Sequence, residues 1–306
     1  VPSKETRGWS KAMIPAEFDH IAPPTLNEAI RALAARGEEA KLLAGGQSLL
    51  PIMKLRLASP KLLIDLARIP GLGEIKQEGD RITIGALATH YQIESSGLLK
   101  KKCPLLPQTA RLIGDVQVRN RGTIGGSLAH ADPGADLPAA MLALGAEFCA
   151  RGPEGERWIK AEEFFLGLMA TALRPAEILT AVRVPVLSGR CGTAYLKVPQ
   201  QASGFALVGV AAWLRVEKGR CADIGVGLTG TGARPCRAVA VEETLRGRKF
   251  EAAAIQAAAS RATEGIDPLD DMHATADFRL HLTRVYAFRA MVEAARGAGI
   301  SIKTGS

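Results

Sequence analysis

Gly45-Gly46 and Gly125-Gly126 narrow the choice of fold more than any other residues in this chain. Each pair follows an apolar segment, Leu42-Leu43-Ala44 for the first and Thr123-Ile124 for the second, and each leads into a serine, Ser48 or Ser127. Glycine lacks a Cβ and tolerates positive φ, so a pair ends a strand and bares the backbone. The segments that follow can restart as helices, and Ser48 is placed to cap one. A strand, a glycine turn and a helix start, twice over, argue for an α/β arrangement.

The surrounding pattern agrees. Thr25 with Glu28 reads as a capping box, Leu26, Ala29, Ile30 and Leu33 form an apolar face, and Gly37 ends the helix. Strands are expected at 41–44, 62–66 and 81–87. Helices are expected at 104–113 and 133–144. A hairpin is expected over 146–160, turning at Gly152-Pro153-Glu154-Gly155. Strands follow near 178–184 and 193–198. Pro185 to Gly192, rich in Gly, Pro and Ser, marks a domain boundary. Beyond it, strands at 206–216 and 222–228 and helices at 251–264 and 276–295 predict a small sheet with helices packed on it. Phe278, Leu282, Val285, Phe288 and Val292 recur at helical spacing and are expected to face the core. The expected division is 13–186 and 187–306. Residues 1–12 are polar and read as an extension, disordered or vector-derived, with Met13 as a natural start.

Several classes are excluded. No apolar run approaches the roughly 20 residues of a membrane helix. The five cysteines are scattered, with no C-x-x-C pair, which argues for reduced thiols in a cytosolic protein and against zinc or a cysteine-held cluster. The net charge of +8 is accompanied by only 5% aromatic residues and no interleaved basic–aromatic stripe, so nucleic acid is a poor partner. The run Lys100-Lys101-Lys102 reads as a solvated helix end.

What remains is a ligand for the glycine segments. Consecutive backbone N–H groups can converge on phosphate oxygens, and a helix start adds more free N–H groups. One Gly-Gly pair is usually only a turn. Two pairs, each closing on a serine, could hold one pyrophosphate from both sides, although a purely structural role stays open on this ground. Gly225-Val226-Gly227-Leu228-Thr229-Gly230 matches G-x-G-x-x-G, but Thr231-Gly232-Ala233-Arg234-Pro235 follows where a helix should begin. It is not a dinucleotide site; Gly225 and Gly227 read as strand positions with close packing. His130, Asp132 and Asp136 lie close together, but Asp132-Pro133 reads as a helix cap and first turn. Asp136 is placed to accept a hydrogen bond from a cofactor hydroxyl. No nucleophile motif is present, so redox chemistry would have to come from a cofactor.

At these residues the chain resembles a known family. Ala44-Gly45-Gly46-Gln47-Ser48-Leu49-Leu50-Pro51, with Met53-Lys54-Leu55-Arg56, is similar to the first FAD motif of the medium subunits of molybdenum hydroxylases, most clearly the flavoprotein subunits of aerobic carbon monoxide dehydrogenases. Gln117 to Gly126 resembles the second motif, and Asp132-Pro133 and Asp136-Leu137-Pro138 continue it. The likeness runs from about Ile14 to Ala295. It implies an α+β fold: an FAD-binding domain of two α/β lobes, vanillyl-alcohol-oxidase/PCMH-like, then the family's small α+β C-terminal domain. It implies an electron-transfer role in a heterotrimer, with the molybdenum cofactor in a large subunit and two 2Fe–2S clusters in a small one. A dimer of heterotrimers is expected, in the cytoplasm or peripheral to the inner face of the membrane.

By the same resemblance, FAD contacts fall on Ala44, Gly45, Gly46, Gln47, Ser48 and Leu49, and on Thr123, Ile124, Gly125, Gly126 and Ser127. Asp136 matches an aspartate near the cofactor. Ile113 and Leu179 match apolar contacts to flavin or adenine. Lys197 matches a lysine approaching the flavin, and Phe205 an aromatic beside it. Gln47 stands where some relatives have histidine. The cysteine-rich insertion that carries a 4Fe–4S cluster in some relatives is missing, so no cluster is expected here. Arg119-Asn120-Arg121 is expected to dock a partner or steady phosphates. Two other readings stay open: a subunit that keeps the fold without FAD, and a stand-alone flavin oxidase. The substrate and the electron acceptor are not legible.

Overall fold

The computed structural model describes residues 14–302; the expected extension 1–12 and Met13 lie outside them. The first lobe is a parallel sheet of Asp19–Ile21, Leu62–Asp65 and Ala40–Leu43, in that spatial order. Leu62, Leu63 and Ile64 are all buried, the unbroken apolar run of a strand covered on both faces. Helix Leu26–Arg36 packs on it through Ala29, Ile30 and Leu33, is capped by the Thr25 hydroxyl and ends at Gly37 with φ 52°, as the sequence predicts.

The second lobe is an antiparallel sheet in the order Ile75–Glu78, Arg81–Gly85, Ile178–Pro185, Glu147–Gly152, Gly155–Lys160. The hairpin is the predicted one, with Gly152 opposite Gly155. Phe148, Phe164 and Phe165 meet edge to face, with centroids 4.6 to 6.0 Å apart. Helix Leu137–Leu144 lies under this sheet with all eight residues buried, and its uniformly apolar sequence is that of a helix with no solvent side. It begins at Leu137, four residues later than expected, because Asp132 instead closes a tight turn onto the Gly134 N–H at 2.8 Å.

The C-terminal sheet runs Cys191–Pro199, Ala206–Glu217, Arg220–Thr229, Cys236–Arg237, antiparallel throughout. One face carries helices Val239–Leu245, Ala252–Ser260 and Ala276–Gly297. The other face receives Leu137–Leu144. The glycines of the rejected fingerprint make this possible. A Cβ on Gly225 would lie 1.9 Å from the Ala143 carbonyl oxygen, and one on Gly227 would lie 2.0 Å from that of Ala139. They are strand glycines in close packing, as expected.

The face of helix Ala276–Gly297 differs from the expected stripe. Val292 is buried as expected and half-buried Leu282 and Phe288 pack against the core, but Val285 is only half-buried, Phe278 is half exposed, and the rest of the buried line runs through Arg279, Thr283, Ala287, Ala290, Met291, Ala294 and Ala295. The backbone approach explains it: a Cβ on Gly192 would be 1.8 Å from the Ala294 carbonyl oxygen. At this crossing the buried positions are the small residues Ala290, Ala294 and Ala295, with larger ones to either side. Arg279 is 2% exposed and donates to the carbonyls of Leu207 and Gly230 and to Asp271. It neutralises strand-end carbonyls that would otherwise be buried unpaired.

Gly227→Val should force the helix off the sheet and cost about 1–3 kcal/mol or more, read as a lowered Tm in thermal unfolding. Gly73→Ala, where the added Cβ meets nothing within 4 Å, should leave Tm nearly unchanged.

Candidate functional site

The first glycine segment leaves the parallel strand Ala40–Leu43 and runs into the short helix Leu49–Lys54. Gly46 has φ 73°, a conformation that favours glycine. Among the described residues, the amides of Gly45, Gly46, Gln47, Ser48 and Leu49 donate to no protein acceptor. The Ser48 hydroxyl does not cap the helix it precedes. Five successive N–H groups and a hydroxyl are therefore available to an anion.

The second segment is built differently from the expected loop. Gly125, Gly126 and Ser127 form the first turn of helix Ile124–His130, capped by Thr123. Its amides are taken. Ile124 donates to Ala88, Gly125 to Ala86, and Ser127 to the Thr123 carbonyl, at 3.0, 2.8 and 3.0 Å, while Gly126 donates to Thr123 Oγ1 at 3.1 Å. Glycine is weak in a helix interior; here tertiary contact demands it. A Cβ on Gly125 would stand 2.5 Å from the Ala86 Cβ.

The two segments meet. A Cβ on Gly45 would lie 2.1 Å from the Arg121 carbonyl oxygen and 2.8 Å from Gly122 Cα, and one on Gly126 would lie 3.8 Å from the Ala44 Cβ. Ala44 to Leu49 and Thr123 to Ser127 thus form one patch. Arg119 does not stand free in it: its guanidinium binds Glu94 at 2.9 Å and the carbonyls of Ile113 and Gly114 at 3.1 and 3.2 Å. It fastens the 113–114 turn. Arg121 is exposed.

A second group gathers around Asp136. This carboxylate is 4% exposed. Tyr195 donates to it at 2.5 Å and Lys197 Nζ lies 2.9 Å from Oδ1. Lys197 Nζ also donates to the Gly204 carbonyl at 2.6 Å. Phe205 follows, 37% exposed, and a Cβ on Gly204 would lie 3.6 Å from Gly114 Cα. Asp136, Lys197, Phe205 and the Ile113 turn are therefore neighbours. Both Asp136 oxygens are already engaged by protein donors. Leu179 does not join them; it is buried in the core of the second lobe. Tyr195 went unread in the sequence, though it stands two residues before Lys197 and so on the same strand face. Cavities of about 390 and 430 Å³ lie elsewhere, beside Trp158 and beside Arg111.

His90 stands alone in the sequence, with no other histidine beside it. It is 4% exposed and its Nδ1 is sealed without a hydrogen-bond partner. Its amide donates to the Gly122 carbonyl at 2.9 Å, which ties it to the junction of the two glycine segments. Burial, with Arg119 nearby, pushes its pKa down to about 4, so the ring is neutral near pH 7. A Thr-His pair opening a helix with Gln92 at the third position was the available signal.

The patch fits a dinucleotide. Successive unpaired amides suit a pyrophosphate. Half-buried Phe205 and Ile113 supply apolar surface next to Lys197.

Burial pushes the Asp136 pKa up to about 6, against the pull of Lys197 and Tyr195. The folded chain therefore holds this proton more tightly than the unfolded one, and the stability Asp136 contributes falls as pH rises from about 4 through 6. Asp136→Asn should flatten that slope in a Tm series from pH 4.5 to 7. Lys197→Met, which strands the buried carboxylate, should cost about 3–5 kcal/mol at pH 7, and adding Asp136→Asn should restore most of it.

Comparison with known proteins bears on the same residues. A family model described as the FAD binding domain in molybdopterin dehydrogenase matches residues 16–187, and one described as the CO dehydrogenase flavoprotein C-terminal domain matches residues 193–294. The carbon monoxide dehydrogenase medium chain of Hydrogenophaga pseudoflava is 40% identical over 279 residues, covering 91% of this chain and 97% of the relative. The nicotine 6-hydroxylase medium subunit of Paenarthrobacter nicotinovorans is 33% identical, covering 90% and 96%. Among solved structures, carbon monoxide dehydrogenase from Hydrogenophaga pseudoflava superposes with a TM-score of 0.91 at 41% identity, covering 93% of this chain and 99% of that one. Quinoline 2-oxidoreductase from Pseudomonas putida 86 gives 0.88 at 35% identity, covering 94% and 100%. The chain belongs to the FAD-binding medium subunits of the molybdenum hydroxylase family.

Proposed function

We propose that this chain is the FAD-carrying electron-transfer subunit of a molybdenum hydroxylase. The observation that carries the reading is the patch where Ala44–Leu49 meets Thr123–Ser127, with five unpaired amides on one side. When bound, FAD supplies the redox chemistry that no side chain of this protein offers. The amides of Gly45 to Leu49 and the Ser48 hydroxyl hold the pyrophosphate. Gly125 and Gly126 contribute closeness of approach rather than donors. Ile113 and Phe205 cover the flavin end, and Lys197, fixed by Asp136 and Gly204, places positive charge beside it. The FAD-binding unit spans 13–186 and the C-terminal unit 187–306.

The partners are a large subunit with the molybdenum cofactor, where substrate is oxidised, and a small subunit with two 2Fe–2S clusters. The complex is a dimer of heterotrimers. Exposed Arg121 is offered to the partner or to the phosphates; Arg119 serves the fold. No described helix is long and apolar enough to cross a membrane, and all five cysteines are unpaired, which suits a reducing cytoplasm. The substrate is a property of the large subunit.

The purified chain should carry about one FAD per polypeptide or take it up on reconstitution, measured by absorption and by flavin release. Gly126→Asp sets a carboxylate beside Ala44 and should abolish retention while circular dichroism stays native. A native-like wild type that cannot take up FAD would favour the FAD-free scaffold reading instead. Steady turnover of an organic substrate by the isolated chain would favour a stand-alone oxidase.

A further inference from the structure

We propose that His90 is a direct ligand of the bound dinucleotide, donating a hydrogen bond from Nε2 to a pyrophosphate oxygen at the junction of the two glycine segments. The inference rests on the FAD reading and adds to it a residue that neither glycine motif contains.

Three contacts define the geometry. A Cβ on Gly122 would stand 2.8 Å from His90 Cδ2 and 2.9 Å from His90 Nε2. Gly122 Cα lies in turn 2.8 Å from where a Cβ on Gly45 would be. The His90 ring edge, Gly122 and Gly45 thus form one layer, and Gly45 begins the run of unpaired amides. The ring edge against Gly122 carries both Cδ2 and Nε2.

The two ring nitrogens are not equivalent. Nδ1 is sealed and unpaired, whereas Nε2, which makes no protein hydrogen bond either, is not sealed from solvent. A buried donor left without an acceptor is rarer and costlier than a buried acceptor left without a donor. The neutral ring therefore keeps its proton on Nε2 and leaves a lone pair on Nδ1. The accessible nitrogen is then a donor one residue, Gly122, away from Gly45, where the unpaired amides begin. Such a convergence suits an anion with several oxygens. A phenylalanine or leucine would fill the same interior space without an unpaired nitrogen, so packing alone does not call for histidine here. The capping box of Thr89 with Gln92, and the His90 amide on the Gly122 carbonyl at 2.9 Å, fix the residue's backbone. These bonds hold the His90 Cα beside the glycine junction, and the surrounding protein leaves the residue only 4% exposed.

The test uses the full chain, stripped of flavin and titrated with FAD. His90→Leu should weaken FAD binding about tenfold or more, and His90→Gln, whose amide nitrogen can reach the Nε2 position, should recover much of it. The 31P resonances of the bound pyrophosphate should move in His90→Leu. On the wild type, 15N spectra of labelled histidine should show the Nε2-protonated tautomer and a shift of His90 on saturation with FAD. That measurement stands even if His90→Leu fails to fold. FAD binding by His90→Leu equal to wild type, or a His90 signal indifferent to FAD, overturns the proposal and leaves the FAD reading intact. A wild-type chain that binds no FAD overturns both.

Discussion

Helix Leu137–Leu144 is the constraint on which both halves of the molecule depend. It lies between the five-stranded sheet and the C-terminal sheet, every residue buried. Its contact with the second sheet is backbone on backbone, through Gly225 and Gly227, and Trp213 Nε1 adds a hydrogen bond of 2.5 Å to the Ala143 carbonyl. A helix cannot approach a strand this closely over side chains. The position of the helix then sets the segment leading into it, where the Pro133 and Ala135 carbonyls accept from the Thr229 hydroxyl and the Ala206 amide donates to the Gly134 carbonyl. Asp136 is delivered to Tyr195 and Lys197 as a result. The placement of Lys197 and the packing between the two sheets are therefore one construction.

The glycine segments have two distinct tasks. Gly46, with its positive φ, turns the chain within a run of amides that find no protein acceptor. Gly45, Gly122 and Gly125 permit contact between pieces of protein, namely the Arg121 carbonyl, His90 and Ala86. Removing side chains for a ligand and removing them for a neighbouring backbone leave the same mark in a sequence. The second motif binds its own amides into a helix turn and a short pairing with 86–90. It serves mainly as a wall on which the first motif is set.

Much was legible before any coordinates. Thr25 and Glu28 marked a helix start, Gly152 to Gly155 a hairpin, and the absence of a helix after Gly230 correctly disqualified the G-x-G-x-x-G match. These are local decisions, made by capping, turn chemistry and periodicity within a few residues. The long final helix shows where local reasoning stops. Phe278 and Leu282 repeat at the right spacing, yet alanines and Arg279 face the sheet, because Gly192 brings the backbones too close for larger side chains. The lysine run marks the end of helix Gly97–Lys102, as expected, whereas the short helices at His90–Ser95 and Val116–Arg121 are too brief to show a period and are not legible in the sequence.

The sequence by itself determined the α+β character, the two glycine motifs and the family, because these are written in residue types at fixed spacing. The tertiary structure alone decided what each glycine is for, which amides stay unpaired, that Asp136 is held by Tyr195 and Lys197, and that Arg119 braces a turn. It also took His90 from an isolated histidine to the glycine junction. Each of these depends on residues far apart in the chain being brought within hydrogen-bond or van der Waals range, and no local pattern encodes that meeting.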